Sequence, residues 1–198
     1  MGKEFRHLRV LREQLGNHTD AKTQTAVLSG LDGIKDSASP HAKAEWACVV
    51  TARLDTLLDE ETHIKVREHC ACLFSNEKSI YAKEFRRLRK QFADNAEYLH
   101  AAIYYLNATA PLKRCGDVSL DGDKIITVIA RGRCECQVLK NGLKTPISVT
   151  WCHCCKGSIL SVIKYIFPER KCKMIIKETI VSGGGMCLFV TIFESEDS

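Results

Sequence analysis

The stretch DKIITVIARGRCECQVL, residues 123–139, marks the point at which the hydrophobic period of the chain changes. Its Ile, Val and Thr residues are typical of a β-strand. A second stretch of the same kind is TPISVTWCHC at residues 145–154. The two stretches are joined by KNGLKTP at residues 140–146, which carries the Asn, Gly and Pro of a turn. The two stretches together predict a β-hairpin.

A helix and two further strands are expected after this hairpin. GSILSVIKYIFPER at residues 157–170 has a helical pattern between Ser158 and Pro168. KCKMIIKETIV at 171–181 and MCLFVTIFE at 186–194 look like strands linked by the turn SGGG. We therefore expect a mostly antiparallel sheet of β-β-α-β-β order.

Upstream of the first strand the pattern is helical. From Lys3 to about Asn107, apolar residues recur three and four positions apart. Ser39 before Pro40 predicts the start of one helix, and Glu77–Leu106 predicts the longest one. The sequence predicts an α+β fold, with N-terminal helices packed on the C-terminal sheet. We expect a helical part over residues 1–110 and a cysteine-rich α+β part over 111–198, joined as one continuous compact domain.

Composition and charge narrow the class of protein. The 198 residues are 45% apolar and 27% charged, which is ordinary for a globular chain. No stretch approaches the roughly 18 apolar residues of a membrane span, and the N-terminal residues lack the apolar segment of a signal peptide. This predicts a cytoplasmic protein with no membrane span. The pI near 8.6 is below that of a dedicated nucleic-acid domain. A nucleic-acid partner is therefore disfavoured, and its only candidate surface is the basic helix face of Arg86, Arg87, Arg89 and Lys90.

Eleven cysteines are far more than an apolar core requires. In a reducing cytosol they are expected to be ligands, redox thiols or small buried residues rather than disulfides. A hairpin centred near Lys144 would place Cys134 opposite Cys154 and Cys136 opposite Cys152. Opposed side chains lie about 5 Å apart, so four sulfurs would converge. The spacing predicts a metal site, with zinc favoured and an iron–sulfur cluster as the alternative. Burial of the same cysteines in the core stays open.

Other candidate residues rank below these four. The lower-ranked metal ligands are Cys70, Cys72, Cys155, Glu178 and Cys187. Cys48, Cys115 and Cys172 are interpreted as structural, because they have no partner at ligand spacing. In a strand, His153 would face away from Cys152 and Cys154 and could not act as the base for either thiol. A more distant histidine, His63 or His69, could do so.

Residues 134–193 resemble the C-terminal part of small cysteine-rich bacterial proteins related to the vinyl-4-reductase-type sensor domain. These proteins are grouped with L-2-amino-thiazoline-4-carboxylic acid hydrolase-like proteins. The shared pattern is a C-x-C strand, a second C-x-C followed by Gly, a helix, a Glu-bearing strand, a Gly-rich turn and a Cys-x-Phe strand. Its elements here are Cys134 with Cys136, Cys152 with Cys154 and Gly157, Glu178, Gly183 to Gly185, and Cys187 with Phe189.

The resemblance implies a zinc ion held by an upstream Cys, a Glu and two later Cys residues. Carried over to this chain, it assigns Cys152 or a neighbour, Glu178 and Cys187, while Val181 stands where the remaining Cys is expected. The paired C-x-C pocket therefore stays the preferred metal site. The resemblance also implies a ligand cavity between sheet and helices.

Two function classes follow from these observations. The first is a cytoplasmic protein that binds or senses a small molecule or redox state and carries a cysteine-rich zinc site. The alternative is a metal- or Cys-dependent hydrolase of a small heterocyclic or amide substrate, with Glu178 or a histidine as general base. Whether the protein is an enzyme is left open. The expected partner is a small-molecule ligand, and a homodimer is an open alternative to a monomer.

Overall fold

The computed structural model describes residues 3–73, 75–109 and 117–194. It divides into two compact units, each built from separate segments of the chain. The helical unit comprises Met1–Cys72, Cys134–Gly157 and Val181–Gly183, and the sheet unit comprises Leu73–Arg133, Ser158–Ile180 and Gly184–Ser198. That the chain forms one continuous domain stays a prediction.

Among the residues that the structure describes, six helices precede the sheet, in agreement with the helical N-terminal part that the sequence predicts. They are α1 Arg6–His18, α2 Ala21–Leu28, α3 Pro40–Leu57, α4 Glu60–His69, α5 Ile80–Gln91 and α6 Asn95–Ala108. The start of α3 is confirmed, since the Ser39 hydroxyl accepts a hydrogen bond from the backbone N–H of Ala42 at 3.1 Å. Within the part of the chain that the structure describes, no helix is long and apolar enough to cross a membrane.

The single long helix predicted over Glu77–Leu106 is wrong, because the chain breaks between α5 and α6. The Asp94 carboxylate accepts hydrogen bonds from the backbone N–H groups of Ala96 and Glu97, both at 2.9 Å. This is an N-cap, and it begins a new helix. The apolar period continues across the break, so periodicity alone does not reveal it.

A four-stranded antiparallel sheet forms the centre of the sheet unit. Its strands are β1 Asp117–Asp121, β2 Lys124–Arg131, β3 Cys172–Glu178 and β4 Met186–Phe193, in the spatial order β1-β2-β4-β3. A seventh helix, α7 His153–Ile163, separates the two pairs along the chain. Its Ser158–Ile163 part belongs to the sheet unit. The α+β fold class is therefore confirmed.

The strand predicted over residues 145–154 is wrong. Val149–Cys152 forms a 3-10 turn that leads into α7, and the Ser148 hydroxyl begins this turn by accepting from the Thr150 backbone N–H at 3.2 Å. β2 instead forms a hairpin with the short β1, DVSLD, whose polar residues did not mark it as a strand. Cys134 and Cys136 follow the end of β2 in irregular chain. The hairpin that would oppose Cys134 to Cys154 and Cys136 to Cys152 therefore does not exist.

Candidate functional site

Three cysteines of the helical unit form a hydrogen-bonded group, which we call the thiol cluster: Cys72, Cys154 and Cys155. Cys154 and Cys155 lie in the first turn of α7, and Cys72 lies just after α4. The side chains of Cys72 and Cys155 both hydrogen-bond to Cys154. Cys154 is buried, Cys155 is partly buried and Cys72 is exposed. A buried sulfur thus lies in contact with a sulfur that solvent can reach.

The pKa values of the thiol cluster identify Cys154 as the thiolate. The hydrogen bond from Cys155 lowers the pKa of Cys154 most, and the bond from Cys72 acts in the same direction. Burial opposes this shift, but the net pKa lies well below its usual value. Donation to Cys154 correspondingly raises the pKa values of Cys72 and Cys155. The cluster therefore contains one anionic acceptor and two neutral thiol donors.

Arg67 supplies the positive charge beside this thiolate. Its side chain is 2% exposed, and its Nη2 donates to the Trp151 carbonyl at 2.9 Å. Its guanidinium carbon lies 4.0 Å from the centre of the Trp151 ring. Arg67 takes part in none of the ion pairs formed by residues 3–73, 75–109 and 117–194. An isolated buried cation is costly, so the Cys154 thiolate acts as its counter-charge.

The sulfurs around Arg67 also act on its own pKa. Burial lowers the pKa of Arg67, but the charge of the Cys154 thiolate raises it, and the net shift is upward. Burial raises the pKa of Cys70 itself to about 11, so that side chain stays a neutral thiol. The Arg67 guanidinium and the Cys154 thiolate therefore form a buried charge pair.

A glycine allows α7 to approach the end of α4 closely. A Cβ atom added to Gly157 would lie 2.1 Å from the Glu68 carbonyl oxygen, which is far inside contact distance. Beside this contact, Lys156 Nζ lies 2.6 Å from Glu68 Oε1. The approach places the first turn of α7, with Cys154, against the segment that carries Arg67 and Cys70.

Cys136 lies close to the thiol cluster, in the loop that follows β2. Trp151 Nε1 donates to its sulfur at 3.5 Å, and burial raises its pKa. In the same loop, the Cys136 backbone N–H donates to the Cys134 sulfur at 3.4 Å. Cys152 is buried in the 3-10 turn. Of the four preferred ligands, Cys136 and Cys154 are thus brought near each other, and Cys72 and Cys155 are the closer partners of Cys154.

A zinc ion and an iron–sulfur cluster are the two groups that the cysteine spacing predicts. Among the residues with described positions, no group of three or more Cys, His, Asp or Glu side chains is placed so that it could hold a metal ion. In this geometry, the described side chains therefore offer no complete ligand set for either group. The zinc site stays a prediction.

Glu178 and Cys187, the ligands implied by the resemblance, lie in the sheet unit. Glu178 Oε1 accepts hydrogen bonds from the backbone N–H groups of Gly185 at 2.5 Å and Met186 at 3.2 Å. The carboxylate thereby closes the turn between β3 and β4, where Gly183 has a φ of 102°. Cys187 is buried on β4 opposite Ala130. Glu178 has a structural role here, and its role as a general base stays a prediction.

The candidate histidines lie in different surroundings. His153 is 9% exposed, its Nδ1 has no partner among the described residues, and burial lowers its pKa to about 4. His63 Nδ1 lies 3.3 Å from Asp55 Oδ1, and His69 Nδ1 lies 2.8 Å from the Lys65 carbonyl. His7, which sequence reasoning missed, is near enough for the Cys154 thiolate to act on its pKa.

Sequence reasoning also missed Arg67 and Trp151. The one available signal was the spacing of Arg67 three residues before Cys70, which places both near one face of a helix. That signal is weak, because an arginine in a helix is normally exposed.

The fold and the cluster define an α+β protein with a buried thiolate in its helical unit. Residues 3–197 match the family described as "Family of unknown function (DUF6144)", and the chain belongs to this family. No curated protein matches the chain. The resemblance to the vinyl-4-reductase-type sensor domain and to the thiazoline hydrolase-like proteins stays a prediction.

Proposed function

We propose that the protein is a thiol-based redox sensor in which Cys72 and Cys154 alternate between dithiol and disulfide. The observation that carries this proposal is the buried Cys154 thiolate, paired with Arg67 and hydrogen-bonded to the exposed Cys72. A thiolate is the reactive form of cysteine in oxidation and exchange. A low-pKa sulfur beside a second, accessible thiol is the arrangement that redox-sensing cysteines use.

The reaction with a peroxide is balanced by these two side chains. One thiol, one thiolate and one peroxide molecule give a disulfide, water and hydroxide. The oxygen–oxygen bond breaks, a sulfenic acid forms on the first sulfur, and the second sulfur displaces its oxygen. Both sulfurs are oxidised, and the peroxide takes up the two electrons.

Cys72, rather than Cys155, is the disulfide partner of Cys154. Both donate a hydrogen bond to the thiolate, but Cys154 and Cys155 are adjacent in the first turn of α7. Neighbouring side chains on a helix diverge, so joining them would distort the backbone and strain the bond. Cys72 comes from a different segment and carries no such constraint.

Oxidation changes the charge of the site, and this change provides the signal. A disulfide at Cys154 removes the thiolate, while Arg67 keeps its positive charge. The buried guanidinium then has no counter-charge among the residues around it, a situation that costs several kcal/mol per buried ion. The region where α4 packs against α7 must then rearrange or admit water. Oxidation thereby changes the structure of the protein.

The test is a disulfide map of the oxidised protein. Reduced protein is treated with hydrogen peroxide, trapped in acid, digested without reductant and analysed by mass spectrometry. We expect a Cys72–Cys154 linked peptide that Cys154→Ser abolishes and that Cys48→Ser, a matched control on α3, retains. Circular dichroism before treatment checks that each variant is folded. Oxidation that never links these two cysteines in the folded wild type overturns the proposal.

A further inference from the structure

A shallow pocket lies at the exposed side of the thiol cluster. It has a volume of about 10 Å³, room for about one water-sized group, so it can receive only the reacting end of a molecule. Its lining comes from the start of α1 and from the segment after α4: Arg6, His7, Val10, Cys70, Ala71 and Cys72. Of the three cysteines in the thiol cluster, Cys72 lines this pocket.

The rim of this pocket carries positive charge. Arg6 is exposed, and its guanidinium has no ion pair or side-chain hydrogen bond among the residues described. Its backbone N–H donates to Asp36 Oδ1 at 3.1 Å. Burial lowers the pKa of His7, so that ring stays neutral and adds no charge. Arg6 is therefore the cation available to an incoming ligand.

We infer that the pocket admits small anionic disulfides, with Cys72 as the attacking sulfur, Cys154 as the resolving thiol, and Arg6 attracting the negative charge. This inference rests on the proposed redox function and names the substrate class of the same site. The size of the pocket supports it, because only the scissile sulfur needs to enter while the charged remainder stays at the rim beside Arg6.

The exchange is balanced in two steps. In the first, the Cys72 thiol gives up its proton to water as its sulfur attacks the disulfide. The bond between the two substrate sulfurs breaks, one half leaves as a thiolate, and the other remains bound to Cys72. In the second step, the Cys154 thiolate attacks the Cys72 sulfur, and the second half leaves as a thiolate. The two cysteines are oxidised and the substrate disulfide is reduced.

The test compares two aromatic disulfides, one anionic and one neutral. Dithiobis(nitrobenzoate) carries a carboxylate on each ring, and dithiodipyridine is neutral. The kinetic phase of Cys72 is the one that disappears in Cys72→Ser, and it is measured by stopped-flow absorption. Arg6→Gln is the test variant, and Arg9→Gln, an exposed arginine on the same helix, is the matched control.

We expect Arg6→Gln to slow the reaction of Cys72 with the anionic disulfide about fivefold, the effect of one nearby charge in water. The neutral disulfide should react at the wild-type rate, and Arg9→Gln should change neither rate. Raising the ionic strength should reduce the Arg6 effect, because salt screens an exposed charge.

The inference is overturned if Arg6→Gln alters both reagents equally or neither, or if Cys72→Ser removes no kinetic phase. These results do not affect the disulfide map obtained with peroxide. A Cys72–Cys154 disulfide formed with peroxide would then still support the redox function, without the proposed substrate class. A missing peroxide disulfide would instead overturn the redox function and, with it, this inference. A failure of the inference alone is thus distinguishable from a failure of the redox function.

Discussion

Arg67 carries a full positive charge into the interior of the helical unit, where the Cys154 thiolate is the anion that raises its pKa most. Trp151 binds it twice, through the carbonyl oxygen and through the face of the ring. These contacts fix the guanidinium, but they do not neutralise it. The charge of Arg67 lowers the pKa of Cys154 and adds to the larger effect of the hydrogen bonds from Cys155 and Cys72.

Replacing Arg67 should therefore change the titration of Cys154. We expect Arg67→Met to raise the pKa of Cys154 by about one unit or more, since an opposite charge at close range shifts a pKa by that amount. Arg67→Lys keeps the charge and should keep most of the effect. The measurement is the pH dependence of ultraviolet thiolate absorption, corrected with Cys154→Ser.

The same pKa sets a pH dependence of stability. The folded pKa of Cys154 lies below that of an unfolded thiol, about 8.5. Its stabilising contribution is therefore complete above the unfolded value and is lost as the pH falls through the folded one. Arg67→Met should weaken this loss, and Arg9→Gln should leave it unchanged. An unchanged Cys154 titration in Arg67→Met would contradict the charge pair.

At the scale of secondary structure, the approach of α7 to α4 is what brings the cysteines to Arg67. The approach depends on Gly157, whose hydrogen faces the Glu68 carbonyl oxygen. Backbone atoms cannot move aside as a flexible side chain can, so no other residue fits without separating the segments.

Gly157→Ala should accordingly destabilise the protein by about 2 kcal/mol or more, as overpacking against fixed atoms does. The matched control is Gly16→Ala in α1, where an added Cβ meets only Gln24 Nε2 at an ordinary 3.6 Å. Alanine is the better helix former, so Gly16→Ala should be neutral or slightly stabilising. Urea unfolding of both variants measures the difference. Equal effects in the two variants would show that the close approach is unimportant.

Local sequence signals predicted many secondary-structure elements correctly. They failed where contacts with residues distant in sequence determine the structure of a segment. The start of α3 at Ser39 and Pro40 could be predicted because a helix N-cap depends only on residues that are neighbours in sequence. Residues 145–154 were misread because Val and Thr favour strands, whereas the turn at Val149–Cys152 and α7 are held by contacts with α4. The sequence singled out Cys154 as a metal ligand, which stays a prediction, and its neighbours in the thiol cluster region, Cys72 and Arg67, lie more than 80 residues away in sequence. No local pattern indicates such a pairing.

In the molecule as a whole, the cysteines are divided unequally between the two units. The segment Cys134–Gly157 joins the N-terminal helices, whereas the chain on either side of it belongs to the sheet unit. Cys172 and Cys187 lie in the sheet unit, and the thiol cluster lies in the helical one. The zinc ion and the hydrolase activity suggested by the sequence stay predictions at this scale.

Removing metal ions tests how the whole fold is stabilised. Because Arg67 already balances the charge of Cys154, we expect a strong chelator to leave the thermal midpoint of the reduced protein unchanged within about 2 °C. This is smaller than the midpoint shift that a stability change of about 1 kcal/mol would cause in a domain of this size. The measurement is a thermal melt of protein purified without affinity-column metals, with and without chelator. A fall of ten degrees or more would favour the zinc site and show that thiolate ligands hold the fold together.

The packing of Trp151 gives the protein an optical reporter of its own chemistry. The chain has two tryptophans, and Trp46 meets Trp151 edge to face with the ring centres 6.1 Å apart. Trp151 also contacts the Arg67 guanidinium and the Cys136 sulfur. Its excited state therefore lies in the electric field of the charge pair and next to a quenching sulfur. With Trp46 changed to Phe, the colour and intensity of a single indole emission would follow the oxidation state of Cys154 in real time, without any added dye.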